Sequence, residues 1–372
     1  MKQLILADKL CDIRDPLNWT EEKQDVFVEA CRELAIFHYE HSREIKFIYD
    51  KRRFDPLSIR VNADITRIPM VNVAAMKSFL LISLPQEMAA LKLTSSGTKG
   101  QKTQIWMDKA SLDRAQKMLD GYWLQEGFIS PKQSNYLVFN YDPRAAGDLG
   151  IAFTDENQMR FSPVAKAFYA IQKDDKGQWV FKKEQCLQQL KDFCLEELPV
   201  RIFGMPSFIY EFLELVDKPL CLPKGSLIIT GGGWKAAEDK KISRELFRQQ
   251  LVDALGISAE RIRDAYGMAE HVAPYFECKR HRFHIPIYAR IIIRDPVSLE
   301  VLNDGNEGLM ELITPFNAMM PNLAVLSTDF GYINPDPCEC GFNSPTFTLC
   351  GRAGKTKHKG CAITAHEIVR RA

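Results

Sequence analysis

The chain contains 372 residues, a length typical of two to three domains or of one large α/β domain with appendages. Hydrophobic residues make up 46% of it and charged residues 26%, the balance of an ordinary globular protein. Forty-nine basic residues against forty-eight acidic ones leave a net charge of +1. The chain therefore lacks the basic excess that nucleic-acid-binding and membrane-surface proteins carry, and we expect neither partner.

No stretch of the sequence approaches the roughly 18 apolar residues that cross a bilayer, so we expect no membrane span. The densest apolar run, residues 79–84, has the length of a core strand or core helix. Asp8 and Lys9 interrupt the N-terminal apolar run too early for a signal peptide. We therefore expect a cytoplasmic protein, in which ten cysteines would be thiols or metal ligands rather than disulfides.

The first predicted element is a helix whose apolar residues recur at helical spacing and whose start is capped by Asn18 and Glu21. A turn of small residues then separates an apolar run from a second helix over residues 112–123. Further on, short apolar runs alternate with amphipathic helices, which indicates an α/β fold with a largely parallel sheet. The predicted strands cover residues 136–139, 200–203, 226–230, 288–293 and 309–313, and the predicted helices cover residues 183–197, 206–216 and 240–255.

The turn of small residues is suited to binding a polyphosphate. Glycines let backbone N–H groups approach a phosphate, hydroxyl groups donate hydrogen bonds to it, and lysines offset its charge. It is not a Walker A loop, because Lys102 stands where that motif needs its second glycine. The alternative is a flexible polar loop. The candidate phosphate-binding residues are Thr94, Ser95, Ser96, Gly97, Thr98, Lys99, Gly100 and Lys102.

This pattern resembles the phosphate loop of the adenylate-forming enzymes, which include acyl-CoA synthetases and peptide-synthetase adenylation domains. Four further segments resemble motifs of that superfamily and follow in its order. They are the glycines Gly231, Gly232 and Gly233 after a strand, the run from Tyr266 and Gly267 to Glu270, the Thr328–Asp329 pair, and the Gly351–Arg352 pair. Each motif is weak alone, but their common order makes the resemblance specific.

The resemblance implies a role for each motif and a fold for the chain. The glycines and Tyr266 would hold adenine, Asp329 the ribose, and Glu270 a Mg²⁺ ion, with Lys102 and Glu270 acting in catalysis. Arg352 would mark a hinge. The expected fold is a large α/β N-terminal domain of mixed and parallel sheets flanked by helices, over residues 1–351. A hinge and a vestigial C-terminal segment would follow, over residues 352–372.

Such a short C-terminal segment resembles the acyl-protein synthetases of bacterial bioluminescence (LuxE-type), which are related to phenylacetate-CoA ligases. In that branch a cysteine near the C-terminus accepts the acyl group and passes it to a partner reductase, and the matching residue is Cys361. Lys357, His358 and Lys359 would independently favour its thiolate, the form that attacks. The alternative is that Cys361 is a buried or idle thiol.

Two clusters of cysteine and histidine suit a tetrahedral Zn²⁺ ion. We choose Cys278, His284, Cys338 and Cys340 as ligands, with His281 as a substitute. Their spacing resembles the structural zinc site of some phenylacetate-CoA ligases, and four protein ligands would leave no open position. The alternative is a set of reduced, unliganded cysteines, because neither half has a standard zinc-finger spacing.

The predicted function is ATP-dependent activation of a carboxylic acid, most naturally a fatty acid, to an acyl-adenylate, with transfer to Cys361 and on to a reductase or carrier protein. The cofactors would be ATP, Mg²⁺ and a structural Zn²⁺. An aryl- or acyl-CoA ligase and a non-enzymatic nucleotide- or metal-binding module are the alternatives. A slot near Phe203, Gly204 and Met205 would take the acyl chain, and His271 is expected to be structural or solvated.

Overall fold

The structure is a computed structural model that describes residues 3–94, 103–142, 159–234, 237, 240–273 and 275–352; the side chain of Thr94 also lies outside the description. The α-helices in this part of the chain are α1 (Ile5–Cys11), α2 (Glu21–His41), α3 (Arg43–Lys51), α4 (Val73–Ser78), α5 (Lys109–Gln125), α6 (Lys183–Leu195), α7 (Pro206–Leu213) and α8 (Arg244–Leu255). None of them is long and apolar enough to cross a bilayer.

The strands in the same part of the chain form two large sheets and one hairpin. They are β1 (Val71–Asn72), β2 (Ala89–Thr94), β3 (Gln104–Asp108), β4 (Ser134–Tyr141), β5 (Val164–Lys173), β6 (Trp179–Phe181), β7 (Val200–Gly204), β8 (Leu227–Gly231), β9 (Ile262–Tyr266), β10 (Tyr275–Phe276), β11 (Phe283–His284), β12 (Arg290–Arg294), β13 (Gly308–Ile313), β14 (Ala324–Ile333) and β15 (Thr346–Arg352).

The first sheet has the order β10-β9-β8-β7-β4-β5-β6, and its five inner strands are parallel. Every residue of β4 is buried, which is typical of a parallel strand covered on both faces. Alternate side chains of β4 enter different cores: Tyr136 and Val138 face the larger one, and Leu137 and Phe139 face the smaller one beneath α6, α7 and α8. The prediction of a largely parallel sheet is confirmed for this half of the molecule.

The second sheet has the order β11-β15-β14-β13-β12 and is antiparallel, apart from β1, which pairs with β14 in parallel. The larger core joins α1, α2 and α5 to apolar side chains of both sheets. The mixed α/β fold that the sequence predicts is therefore confirmed, with its antiparallel half made largely of strands that the sequence analysis did not assign.

The hairpin of β2 and β3 begins and ends the predicted phosphate loop, because Thr94 pairs with Gln104. The sequence analysis missed β3 and placed the turn directly before α5. Two other local predictions are wrong. Helix α2 is capped by Thr20, whose side chain accepts the backbone N–H of Lys23, and not by Asn18. Residues 79–84 form neither a strand nor a helix, and Phe79 is 66% exposed.

Candidate active site

The candidate active site lies where β7, β8 and β9 end. These three strands run parallel side by side, so their carboxyl ends meet at one edge of the first sheet. Beyond Gly231, the last residue of β8, Gly232 and Gly233 have φ angles of +79° and +68°, which a residue with a side chain rarely adopts. The turn therefore exposes backbone to any ligand beside it. Gly231 pairs with Ala265, which places the turn next to Tyr266.

The side chain of Tyr266 connects the two sheets at this edge. It ends β9 in the first sheet, and its hydroxyl donates to Oδ2 of Asp329 on β14 in the second sheet, at 2.9 Å. Both side chains are buried. Burial raises the pKa of Tyr266 well above its usual value, and the adjacent Asp329 charge acts in the same direction. The phenol therefore remains a hydrogen-bond donor at neutral pH.

Arg352 completes this group from the end of β15. Its Nε lies 2.6 Å from Oδ1 of Asp329, and its side chain is half exposed. Burial opposes the charge on Arg352, but the hydrogen bond and charge of Asp329, with smaller effects of Tyr266 and Glu270, raise its pKa above the usual value. The candidate ribose-binding carboxylate and the candidate hinge residue are thus an ion pair.

Glu270 lies in the turn after β9 and is held from two directions. The hydroxyl of Thr103 donates to its Oε1 at 2.7 Å, and the side-chain amide of Asn322 donates to its backbone oxygen at 2.9 Å. Thr103 and Glu270 are both buried. Since Thr103 directly follows the predicted phosphate loop, this bond fixes one end of that loop against the candidate Mg²⁺ ligand. Carboxylate oxygen is the ligand type that Mg²⁺ prefers.

The structure thus brings together Tyr266, Glu270, Asp329 and Arg352, beside the glycines at the end of β8. The exposed Gly267 follows Tyr266 in the same turn. Several predicted residues lie outside the described part of the chain: Ser95, Ser96, Gly97, Thr98, Lys99, Gly100, Lys102, Cys361 and the side chain of Thr94. Their roles stay predictions.

His271 is a structural residue, as the sequence analysis expected. Its Nε2 lies 2.7 Å from the hydroxyl of Tyr275, and the two rings are stacked. Complete burial lowers the pKa of His271 to about 3, so the imidazole is neutral at physiological pH. A neutral ring inside the core is not available to bind substrate or phosphate.

The proposed acyl slot lies at the end of β7, at the same edge of the sheet as Gly231 and Tyr266. Phe203 packs against Tyr136 and Phe161, and both Phe203 and Met205 are buried. Gly204 has a φ angle of +143°, and a Cβ added to it would stand 2.5 Å from the carbonyl oxygen of Phe139. This part of the strand end is closely packed, so the slot stays a prediction.

The four predicted metal ligands do come together. The ligand atoms of Cys278, His284, Cys338 and Cys340 all lie within 4.8 Å of one another. The sulfurs of Cys278 and Cys338 are 3.7 Å apart, and two sulfurs at about 2.3 Å from one tetrahedral ion would be about 3.8 Å apart. Cys340 Sγ lies 3.1 Å from His284 Nε2. The cluster can therefore hold a metal ion.

The surroundings of this cluster also fit a metal ion. Ser344 Oγ lies 2.8 Å from Nδ1 of His284 and leaves Nε2 facing the cysteines, as metal-binding histidines require. Backbone N–H groups of Arg280 and Phe342 donate to the sulfurs of Cys278 and Cys340. Burial lowers the pKa of His284 to about 4, so the ring is neutral. His281 faces Glu277 instead, at 3.7 Å, and lies outside the cluster.

Comparison with known proteins gives the family. The family model described as acyl-protein synthetase, LuxE, matches residues 2–369. The chain belongs to the LuxE acyl-protein synthetase family. The predicted family and its ligase class are therefore confirmed.

Two curated relatives match nearly the whole LuxE-family chain. The long-chain-fatty-acid–luciferin-component ligase of Aliivibrio fischeri is 25% identical, over 99% of this chain and 96% of its own length. The enzyme of the same name from Vibrio harveyi is 24% identical, over 96% of this chain and 92% of its own. The phenylacetate-coenzyme A ligase of Thermus thermophilus is 22% identical, over 84% of this chain and 66% of its own.

Solved structures confirm the adenylate-forming fold of this LuxE-family protein. A 2-hydroxyisobutyryl-CoA ligase in complex with 2-HIB-AMP and CoA superposes with a TM-score of 0.69 at 14% identity, over 92% of this chain and 70% of its own. The same ligase in an open conformation gives a TM-score of 0.68, over 91% of this chain and 76% of its own. The predicted fold class is therefore right.

Two residues of the LuxE-family site were missed by the sequence analysis. Thr103 stands one residue beyond the predicted loop, and its hydroxyl type was the only available signal. Asn322 gave no signal, because it lies 52 residues from the Glu270 backbone oxygen that it contacts. Contacts of this separation depend on the packing of the two sheets, which local patterns do not specify.

Proposed function

We propose that this LuxE-family protein activates a carboxylic acid with MgATP, forms an acyl-adenylate, and transfers the acyl group to its own Cys361. The convergence of Tyr266, Glu270, Asp329 and Arg352 carries the proposal. These residues belong to three separate segments that resemble adenylate-forming motifs, and they meet at one edge of the parallel sheet. Such an edge is where α/β proteins commonly bind nucleotides.

In the first step, a carboxylate oxygen of the acid attacks the α-phosphorus of ATP, and pyrophosphate leaves. Glu270 would hold Mg²⁺, which offsets the charge of the transferring group. Lys102 and the hydroxyls of residues 94–98 would bind the phosphates. Tyr266 and the turn at Gly231–Gly233 would position adenine, and Asp329 would bind the ribose hydroxyls.

Ribose binding at Asp329 would add to the contacts that this carboxylate already makes. One carboxylate oxygen accepts from Arg352 and the other from Tyr266. Because carboxylate oxygens accept more than one hydrogen bond, the ribose can share them with these donors. Arg352 directly precedes the segment that carries Cys361, so nucleotide binding and the position of this segment would be linked.

In the second step, the thiolate of Cys361 attacks the carbonyl carbon of the adenylate, and AMP leaves. A thioester forms as the mixed anhydride breaks. The adjacent Lys357, His358 and Lys359 would favour the thiolate. Transfer from this thioester to a partner reductase or carrier protein would complete the reaction. The names of the Aliivibrio and Vibrio relatives favour a long-chain fatty acid as the substrate.

We further propose that the cluster of Cys278, His284, Cys338 and Cys340 holds Zn²⁺. Three thiolates and one imidazole are a common structural zinc set, and four protein ligands leave no position for a reacting water. Elemental analysis of the purified protein should find one zinc per chain. Replacing Cys340 with Ser should lower the zinc content, whereas Cys350→Ser, at an exposed cysteine outside the cluster, should leave it unchanged.

The acyl-transfer proposal is tested by intact-protein mass after incubation with MgATP and a panel of fatty and aryl acids. The wild type and Cys350→Ser should gain one acyl group that hydroxylamine removes, and Cys361→Ser should not. All three should release pyrophosphate at first turnover. Acylation of Cys361→Ser at the wild-type level would refute the role of this cysteine.

A CoA ligase is the second candidate, supported by the similarity to the Thermus phenylacetate-coenzyme A ligase. In the mass experiment, a CoA ligase would give no acyl group on Cys361 of the wild type. Addition of CoA would then give steady formation of acyl-CoA by both the wild type and Cys361→Ser, with no stable adduct on either protein. Sustained turnover of this kind would replace the acyl-protein synthetase proposal.

A further inference from the structure

An exposed apolar surface adjoins the candidate active site and has no role in the function proposed above. Phe79 is 66% exposed and Leu80 is 38% exposed, directly after α4. Together with residues 76–78 and Gln104 they line a depression of about 120 Å³. We call this surface the Phe79–Leu80 patch. Two adjacent exposed apolar side chains leave apolar area that a further segment of chain could cover.

The patch lies beside the residues expected to bind ATP. Gln104, which lines the depression, pairs with Thr94 across the β2–β3 hairpin. The next residue, Thr103, donates to Glu270, the candidate Mg²⁺ ligand. Any group that binds to the patch therefore lies close to the site where the acyl-adenylate would form.

The strand register places Arg352, the last described residue, on the same side of β14 as β1. Strand β13 occupies one edge of β14, so β1 and β15 must share the other edge. Arg352 pairs with Asp329, and Asn72 at the end of β1 pairs with Leu326. These positions on β14 are about 10 Å apart, at 3.3 Å per residue. Because β15 is antiparallel to β14 and β1 is parallel to it, the end of β15 at Arg352 faces the end of β1, where α4 begins.

The distances allow the segment that carries Cys361 to reach the patch. Helix α4 adds six residues, or about 9 Å, between the end of β1 and Phe79. The patch thus lies within about 20 Å of Arg352 along this path. Cys361 follows Arg352 by nine residues, which span up to about 30 Å when extended.

We propose that the Phe79–Leu80 patch is the docking surface for the segment around Cys361 during acyl transfer. This inference rests on the proposed function and adds the surface that positions the thiol. Ile363, Ile368 and Val369 are the large apolar side chains that the segment offers. A folded partner needs about 800 Å² of contact on each side, far more than two side chains supply, whereas a tethered segment needs less because its local concentration is high.

The first test compares the wild type, the double variant Phe79→Ser/Leu80→Ser and the control variant Leu195→Ser. The control changes a leucine at the end of α6 whose exposed fraction is 83%. The rate of Cys361 acylation is followed by intact mass. Adenylation is followed by ATP–pyrophosphate exchange, and transfer to free cysteamine measures access of an untethered thiol. We expect the double variant to acylate Cys361 about tenfold more slowly, with exchange and cysteamine transfer unchanged. Leu195→Ser should match the wild type.

Two outcomes would overturn the inference. One is acylation of the double variant at the wild-type rate. The other is normal acylation of Cys361 combined with slower onward transfer to an acyl-accepting reductase, which would assign the patch to that partner. If the wild-type Cys361 is never acylated, the proposed function fails instead.

A second measurement tests the docking without relying on catalysis. A photoreactive phenylalanine analogue at position 79 should crosslink to peptides from residues 353–372 of the same chain, and the same analogue at position 195 should not. The absence of such a crosslink at position 79, in the presence of MgATP and fatty acid, would refute the inference.

Discussion

The hydrogen bond between Thr103 and Glu270 gives the sharpest test of the candidate site. Replacing Thr103 with Val keeps the shape of the side chain and removes the hydroxyl that donates to the carboxylate at 2.7 Å. Both residues are buried, so water cannot readily replace the lost donor. A hydrogen bond to a charged group contributes about 1.5 to 3 kcal/mol. If this energy holds Glu270 in position for Mg²⁺, adenylation should slow between about tenfold and about 150-fold.

The assay is ATP–pyrophosphate exchange, measured over a range of Mg²⁺ concentrations. Thr103→Val should need more Mg²⁺ to reach half its maximal rate, because its carboxylate is no longer oriented. Thr103→Ser keeps the hydroxyl and serves as the matched control, with a Mg²⁺ dependence near that of the wild type. If Thr103→Val and Thr103→Ser lose the same activity and show the same Mg²⁺ dependence, the hydrogen bond has no part in metal binding.

Three further predictions concern Tyr266, the metal cluster and a buried carboxyl group. Tyr266→Phe keeps the ring but removes the hydroxyl that donates to Asp329. Urea denaturation should therefore show a loss of about 1.5 to 3 kcal/mol in the free energy of unfolding. An unchanged free energy of unfolding would contradict the buried contact. Cys340→Ser should lose zinc and melt at a lower temperature than Cys350→Ser, and equal melting temperatures would refute a structural metal. Glu126 directly follows α5, and burial raises its pKa from 4.5 to about 7. The native carboxyl therefore keeps its proton to higher pH than the unfolded one does, and the free energy of unfolding falls as pH rises between these two values. Glu126→Gln should therefore be more stable than the wild type by up to about 3 kcal/mol at pH 8, and the two proteins should have similar stability near pH 4. A difference in stability that stays constant between pH 4 and pH 8 would contradict the raised pKa of Glu126.

The sequence predicted three strands of the first sheet (β4, β7 and β8) and two of the second (β12 and β13), and it missed the others. Strands β4, β7 and β8 are buried apolar runs next to amphipathic helices, a pattern that local hydrophobicity reveals. Strand β14 was recognised only through its Asp329 motif, and β15 only as a hinge, because their polar residues and bulges hide the alternation. Their pairing depends on contacts between distant parts of the chain.

The candidate site was predicted residue by residue, but its contacts were not. Motif order was enough to select Tyr266 and Asp329, and cysteine and histidine spacing was enough to select the four metal ligands. The ion pair between Asp329 and Arg352 and the bond from Thr103 to Glu270 were not predicted. Such contacts join residues that are 23 and 167 positions apart, and only the packing of the sheets brings them together.

The metal cluster and the nucleotide residues are connected through the strands that carry them. Cys278 follows β10, which pairs with β9 and so adjoins Tyr266, while Cys338 and Cys340 lie in the loop between β14 and β15. Phe347, at the base of that loop, packs against both Tyr266 and Tyr275. A metal ion joining these segments would hold the β14–β15 hairpin, with Asp329, against the end of β9. Glu270 accepts hydrogen bonds from Thr103 and Asn322 instead, and both of these residues lie outside the hairpin. Metal loss should therefore disturb the Tyr266–Asp329 contact, and with it ATP binding, before it disturbs the Mg²⁺ dependence.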